Sequence, residues 1–342
     1  MKLNYKKSGF LVINGGKVDV KKDIKLHNGW LAYNNFQKYL GVIVTDDGAV
    51  NTDVKAFLEK KKKEVNVKLA SFLTKNPQVP ISIKLKVLDA CVNSALTYAC
   101  EAWGSYPLNT VEILQRTALK MILGVSSNTA NAILYVESGR LPLKPSIYKR
   151  QLKYYRKMKS DCENNFASPI SNIFVQALNK NVTFLRHYKR LDRTFRTPED
   201  CFKFYSNLHH TETSAKLQKE LDSDPDSIHG TYLKLNPTIK SPKIYTDICC
   251  NESDRNIITR FRVGCHKLNI QSGRISNADR ENRLCKCSNA VQTLHHVLFD
   301  CSLTDNIRRV HNFQRTDLAT FFNDNDLISI ASALKAITKV MI

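Results

Sequence analysis

The chain has 342 residues, with 52 lysines and arginines against 31 acidic residues, a formal net charge of +21, and 42% hydrophobic residues. That length and apolar content suffice for about two domains with buried cores and exclude wholesale disorder. No run of 18 apolar residues is present, which argues against a helical membrane span, and ten cysteines are too sparse for a disulfide scaffold.

Residues 1–50 read as strands and turns. Phe10-Leu11-Val12-Ile13-Asn14 is a short apolar run closed by Gly15-Gly16, and Tyr39-Leu40-Gly41-Val42-Ile43-Val44 is another, closed by Asp46-Asp47-Gly48. Between them, His27-Asn28-Gly29-Trp30 predicts a hairpin turn. Residues 51–160 read as helices. The first is capped by Asn51 or Thr52 and runs through Val54, Phe57, Leu58, Val65, Leu69, Phe72 and Leu73, with Lys60, Lys61, Lys62 and Lys63 on its polar face. The second starts at Pro80 and ends near Gly104, and the third runs from about Asn109 to Leu123 with Gly124 as its stop. Thr129 is expected to cap a fourth helix that ends at Gly139, and a fifth covers Pro145 to Ser160.

Residues 140–196 hold 14 lysines and arginines against 3 acids. Tyr148, Tyr154, Tyr155, Phe174, Phe184, Tyr188 and Phe195 interleave them, a composition that suits phosphates and unstacked bases. An amphipathic helix pair with solvated cations and core aromatics would carry the same pattern. Residues 220–245, punctuated by Asp222-Ser223-Asp224-Pro225-Asp226, Pro237 and Pro242, read as a linker. A compact segment from Asp254 to about Val310 follows, then a tail of one or two amphipathic helices from Leu318 to Ile342.

The sharpest chemical constellation is Cys285-Lys286-Cys287…His296…Cys301, spaced C-x-C-x8-H-x4-C. Three thiolates and one imidazole form a closed tetrahedral shell, so the zinc they suit would be structural and its binding linked to folding. The single spacer between Cys285 and Cys287 makes a tight chelate, and Cys265, His266 or His295 could replace a strained ligand. Asp46 and Asp47 could hold catalytic Mg²⁺, yet Thr45-Asp46-Asp47-Gly48 has the composition of a turn leading into a helix cap, which is the preferred reading. Lys60 to Lys63 suit a localisation signal or a phosphate-contacting face, and equally a solvated helix face.

Several of these motifs, taken in order, resemble the C-terminal part of a non-LTR (LINE-type) retrotransposon reverse transcriptase. Lys38-Tyr39-Leu40-Gly41-Val42 resembles the K-Y-L-G-V strand at the end of the palm, and Asp46-Asp47-Gly48 stands at the family's D-x-G turn. Lys84 to Leu88, Tyr98-Ala99-Cys100-Glu101-Ala102-Trp103-Gly104, Leu114-Gln115-Arg116 and Ile122-Leu123-Gly124-Val125 resemble its thumb helices. Asn128-Thr129, Glu137-Ser138-Gly139 and Leu141-Pro142-Leu143 follow in the expected order. Arg260-Phe261-Arg262, His266-Lys267-Leu268, Gly273-Arg274 and Cys285…His295-His296…Cys301 resemble the C-terminal cysteine–histidine segment, with C-x-x-C shortened to C-x-C. The resemblance covers roughly residues 1–160 and 250–310. Only about 38 residues precede the K-Y-L-G-V strand, too few for fingers and palm, and no F/Y-A-D-D occurs among them.

The expected architecture is mainly α. It has a β remnant of the palm end (1–50), a helical thumb-like domain (51–160), a basic and aromatic connector with linker (161–245), and a zinc-knuckle-like Cys/His module with a helical tail (246–342). The resemblance implies a nucleic-acid-binding fragment of an RNA-directed DNA polymerase, not catalytic by itself, with RNA and DNA as partners and no membrane. Its contacts are expected at Lys60, Lys61, Lys62, Lys63, Lys149, Arg150, Lys153, Arg156, Arg186, Lys189, Arg190, Arg260, Arg262 and Arg274. Structural Zn²⁺ is expected at Cys285, Cys287, His296 and Cys301, and Mg²⁺ only where a separate palm acts in trans, alone or within a retroelement ribonucleoprotein. The opening MKLNYKKSGF lacks the apolar core of a signal peptide, so a nuclear or cytoplasmic location is expected. The alternatives are an inert truncated reading frame and a polymerase using Asp46 and Asp47.

Overall fold

The computed structural model describes residues 4, 8–12, 22–27, 29–39, 42–45, 50–101, 103, 108–164, 183–242, 251–288, 290–313, 317–323 and 326–342. The fold is mainly helical, with a small N-terminal sheet. Among the described residues, no helix is long and apolar enough to cross a membrane. The chain divides into two compact units, each assembled from three stretches: 1–67, 94–114 and 143–203 in the first, and 68–93, 115–142 and 204–342 in the second.

In the first unit, β3 (Gly29–Tyr33) pairs in parallel with β1 (Gly9–Phe10) and antiparallel with β2 (Ile24–Leu26). The register sets Leu26 opposite Gly29, so the chain reverses between them, whereas Gly29 and Trp30 of the expected turn belong to β3. The run Tyr39–Val44 is not one strand. β4 (Phe36–Tyr39) and β5 (Val42–Thr45) pair with each other, Tyr39 opposite Val42, because apolar content does not reveal where a run turns back. Asp46, Asp47 and Gly48 lie outside the described residues.

α1 (Val50–Lys75) begins in this unit, buries Leu58 and exposes Lys60, Lys62 and Lys63. α2 (Ile81–Val87) runs through a π-helical turn (Leu88–Asn93) into the short α3 (Ser94–Leu96). It stops well before Gly104, and Ala99 has a φ of 54°, through which a helix does not continue. α4 (Leu108–Leu123) ends at Gly124, whose φ of +65° suits the left-handed cap that glycine permits.

α6 (Lys144–Asn164) packs against α7 (Thr183–Thr194). α7 turns Tyr188 and Leu191 inward, and Phe195 beyond its end is buried too. Gln151, fully buried on α6, donates to the Cys100 carbonyl at 2.8 Å and bonds the His187 ring at 3.1 Å. Burial and the Arg190 charge push His187 down to about 4, so its ring stays neutral inside this contact. α8 (Pro198–Ser223) starts with proline and a reciprocal cap: Thr197 N–H donates to Asp200, and Asp200 N–H to Thr197 Oγ1, both at 3.0 Å.

In the second unit, α5 (Asn131–Ser138) ends at Gly139 as expected, at a φ of 63°. Its N-cap is Ala130, however, and Thr129 makes no cap. The Thr129 hydroxyl instead donates to the Ser126 carbonyl at 2.8 Å, so the helix starts without a side-chain acceptor. The supposed linker contains α9 (Ile228–Leu235), capped by Ser227, whose hydroxyl accepts from Gly230 N–H at 2.9 Å. Its Asp and Pro punctuation marks a helix start rather than a tether, because Tyr232, Leu233 and Leu235 bury the helix.

Next come α10 (Glu252–Arg262), capped by Asn251, and α11 (Asn269–Ile275). The Cys/His segment then leads to α12 (Asp305–Val310), and the tail forms α13 (Leu318–Asn323) and α14 (Leu327–Met341). α10 packs along α14, with Ile258 and Phe261 facing a core that includes Ile330, Leu334 and Ile337. Their polar edges join through Lys335 and Asp254.

Candidate functional site

The Cys/His segment folds around two short turns. Leu284 and Val291 form an isolated antiparallel bridge, and Cys285 N–H donates to the Ala290 carbonyl at 2.8 Å, so the chain has reversed between Cys285 and Ala290. Ser288 takes a φ of 61° within that reversal. A π-helical turn (His296–Asp300) then carries His296 into place, with its N–H bound to Thr293 Oγ1 at 3.1 Å. Cys301 follows in extended conformation, which aims it back at Cys285.

The four ligand atoms of Cys285, Cys287, His296 and Cys301 lie within 4.8 Å of one another and could hold a metal ion. Cys285 Sγ and Cys301 Sγ are 3.6 Å apart, and Cys287 Sγ lies 3.3 Å from His296 Nε2. A disulfide would need about 2.05 Å between sulfurs, whereas two thiolates on one tetrahedral zinc stand about 3.7 Å apart. The donor set therefore fits a tetrahedral metal, and the C-x-C chelate is accommodated without a substitute ligand. His296 is the histidine of the cluster. His295 turns elsewhere and pairs with Asp300 at 3.0 Å, while Cys265 contacts Thr129 Oγ1 at 3.0 Å. Burial pushes His266 down to about 3, with the Arg274 charge adding to the effect.

The electrostatics suit a metal as well. Burial holds His296 below the usual imidazole range, so it is neutral and ready to ligate. Burial pushes the Cys285 thiol up to about 11, so the cation would have to displace its proton. Three thiolates on a divalent ion leave one net negative charge. Arg308 lies beside it, donating to the Cys301 carbonyl at 2.9 Å and to Thr304 Oγ1 at 2.9 Å, with its charge shared by an ion pair to Asp305 at 3.2 Å. Lys286 donates to the Val340 carbonyl at 3.2 Å, which ties the chelate loop to α14.

The basic residues sort into three groups. Arg262 leaves the contact set: its side chain is 1% exposed and bonded to the fully buried Glu137 at 2.7 Å, so no phosphate could reach it. A second group is engaged but partly open. Lys149 pairs with Glu199 at 2.9 Å and Arg150 with Glu101 at 2.7 Å. Arg274 bonds Asp224 at 3.2 Å, and Arg260 donates to the Gly124 carbonyl at 3.1 Å. Arg156 bonds Asp192 and also the carbonyls of Phe195 and Arg196 at 2.6–2.7 Å, closing the end of α7. On α1, Lys61 and Lys62 pair with Glu64 and Glu59.

The third group is a stripe. Arg186, Lys189, Arg190 and Arg193 recur at i, i+3, i+4 and i+7 on the face of α7 opposite its buried residues. Arg186, Arg190 and Arg193 are exposed, as are Lys153 and Lys157 on α6. Arg193 and Lys157 were absent from the sequence-derived set, although the heptad spacing from Arg186 to Arg193 would have found the former. The aromatics of this region have a different task from stacking bases: Tyr148, Tyr155, Tyr188 and Phe195 are buried, and Tyr155 and Tyr188 stack at 6.0 Å. Tyr154 alone is exposed among those whose side chains are described.

No protein-family model, curated protein or solved structure matches the chain.

Proposed function

We propose that the chain binds nucleic acid through phosphate contacts, as a thumb-and-tail portion of a non-LTR-type retroelement polymerase, and that zinc holds its Cys/His segment. The observation that carries the reading is the α7 stripe. Four cations share one face of a helix whose other face is committed to a core, and the one acid of α7, Asp192, is bonded to Arg156. The stripe extends about 10 Å at 1.5 Å per residue, long enough for successive backbone phosphates. A membrane surface suits it less well, because Tyr188 and Leu191 are buried and so unavailable for insertion.

Such contacts position a duplex without reading its sequence. When bound, zinc would supply structural cross-linking between the Cys285 turn and the π-helical turn, with no open coordination position for catalysis. The retroelement assignment rests on the order of the sequence motifs. This reading gives the chain no catalytic step.

The test is binding of the full chain to a labelled RNA duplex across a salt series. Log affinity is expected to fall linearly with log salt, at about −0.9 per phosphate neutralised on B-form DNA and comparably steeply here. Weak binding that ignores salt would overturn the reading and leave the charge of +21 as a solvated surface.

A further inference from the structure

A cleft of about 420 Å³ lies beside the Cys/His cluster, wholly within the second unit. That volume is in the roughly 300–1,000 Å³ range of small-ligand sites. One wall is the Cys/His segment itself, through Val291, Leu294 and His295; another is α9, through Lys234. We propose that this cleft receives a single nucleotide unit, with its phosphate at Lys234 and Arg280 and its base against His295.

The cations on the α9 side are unequally held. Lys234 and Arg280 both lean on one carboxylate, Asp226: Arg280 makes a short bond to it, and Lys234 stands 3.9 Å away, too far for a hydrogen bond. The neighbouring Asp224 is already bonded to Arg274 at 3.2 Å. Asp300 also lines the cleft but is bonded to His295 at 3.0 Å, and Arg280 also feels Asp224 and Glu281, so Lys234, about half-exposed and beyond hydrogen-bond distance of Asp226, is the cation best placed to turn outward. Lys234 can therefore turn to an incoming phosphate without breaking a close contact.

The Cys/His side offers a ring and an apolar floor. His295 is held by Asp300 at Nδ1 and packs edge-on against Phe299 at 5.1 Å, yet half of its side chain remains exposed. A ring fixed on one edge and open elsewhere suits stacking by an unpaired base. Leu294 and Leu318 close the bottom with buried apolar surface. An anionic head on a flat heterocycle matches both groups; a bare anion would use only the first.

The adjacency of His295 to His296 adds a link. Metal at the cluster would fix the turn that carries His295, so nucleotide and metal binding should reinforce each other.

This inference rests on the nucleic-acid reading, and the test separates the two. Uridine 5′-monophosphate, uridine and inorganic phosphate are titrated into the zinc-loaded full chain, beside the RNA duplex. The monophosphate is expected to bind about tenfold more tightly than either fragment, a difference of about 1.4 kcal/mol. Lys234→Ala should remove most of that preference over uridine, and His295→Ala should weaken the monophosphate while zinc content stays at one equivalent. Lys234→Ala stands alone if His295→Ala loses zinc. Equal affinity for the monophosphate and phosphate, or indifference to Lys234→Ala, would overturn the proposal. Duplex binding without monophosphate binding would overturn the cleft alone; loss of both would take the wider reading with it.

Discussion

Arg262 and Glu137, 125 residues apart in the chain, meet as a salt bridge of 2.7 Å with neither side chain more than 1% exposed. Tyr232 donates its hydroxyl to the same carboxylate at 2.8 Å and accepts from Asn236 at 3.1 Å, so the pair sits in a satisfied polar network. Arg262 also reaches over the Phe322 ring, 6.0 Å from its centroid. α5, α9, α10 and α13 are thereby fastened at one point. Breaking one partner would strand a buried charge, so Arg262→Ala is expected to cost about 3–5 kcal/mol. Exposed Arg260→Ala should cost no more than about 1 kcal/mol. Urea unfolding of the two variants checks this, and equal losses would contradict it.

Zinc content is the second expectation. Purified chain should carry one equivalent per molecule, lost in Cys301→Ser and retained in Cys91→Ser, whose cysteine is exposed and outside the cluster. Removal with a strong chelator should loosen residues 284–301 first, visible as faster amide exchange there, because metal binding and folding of such segments are linked.

The third concerns salt. Arg190→Ala and Arg193→Ala together should flatten the log affinity against log salt plot by about two units on the duplex, one per lost phosphate contact. The melting temperature should barely move, since both side chains are exposed. A variant that lost affinity at every salt concentration alike would point to a non-electrostatic role.

Acid stability follows from His266. Burial holds this histidine down to about 3, and its Nδ1 has no hydrogen-bond partner among the described residues, so the fold favours the neutral ring. The unfolded chain takes a proton near 6.5, while the folded chain resists until about 3. Stability from this group is thus complete above about 6.5 and declines as pH falls toward 3, by at most about 1.4 kcal/mol per pH unit. His266→Phe, which keeps the ring contact with Phe261, should flatten that decline in pH-dependent denaturation.

Local signals carried much of this architecture. Gly124 and Gly139 mark helix ends because only a left-handed cap could follow the apolar periodicity there, and both ends stand where those glycines put them. The four residues that could hold a metal were legible because they lie within 17 residues, where spacing constrains geometry closely. Arg262 was not, since its partner is distant in sequence and an arginine next to Phe261 reads the same whether buried or exposed. The aromatics of α6 and α7 were ambiguous for a related reason. Composition supplies rings and cations together, and only packing decides which of them face inward.

Asp192 has a consequence for kinetics. Left unpaired among Arg186, Lys189, Arg190 and Arg193, it would cancel part of their field at the distances over which a polyanion is first sensed. Bonded to Arg156, with Lys159 at 3.9 Å, it acts as one half of a dipole whose influence dies away within a few ångströms. The exposed Arg186, Arg190 and Arg193 then face solution without that opposing charge. Encounter with a polyanion would accordingly be steered, and Arg156→Gln should slow association at low ionic strength without removing a single contact residue from the stripe.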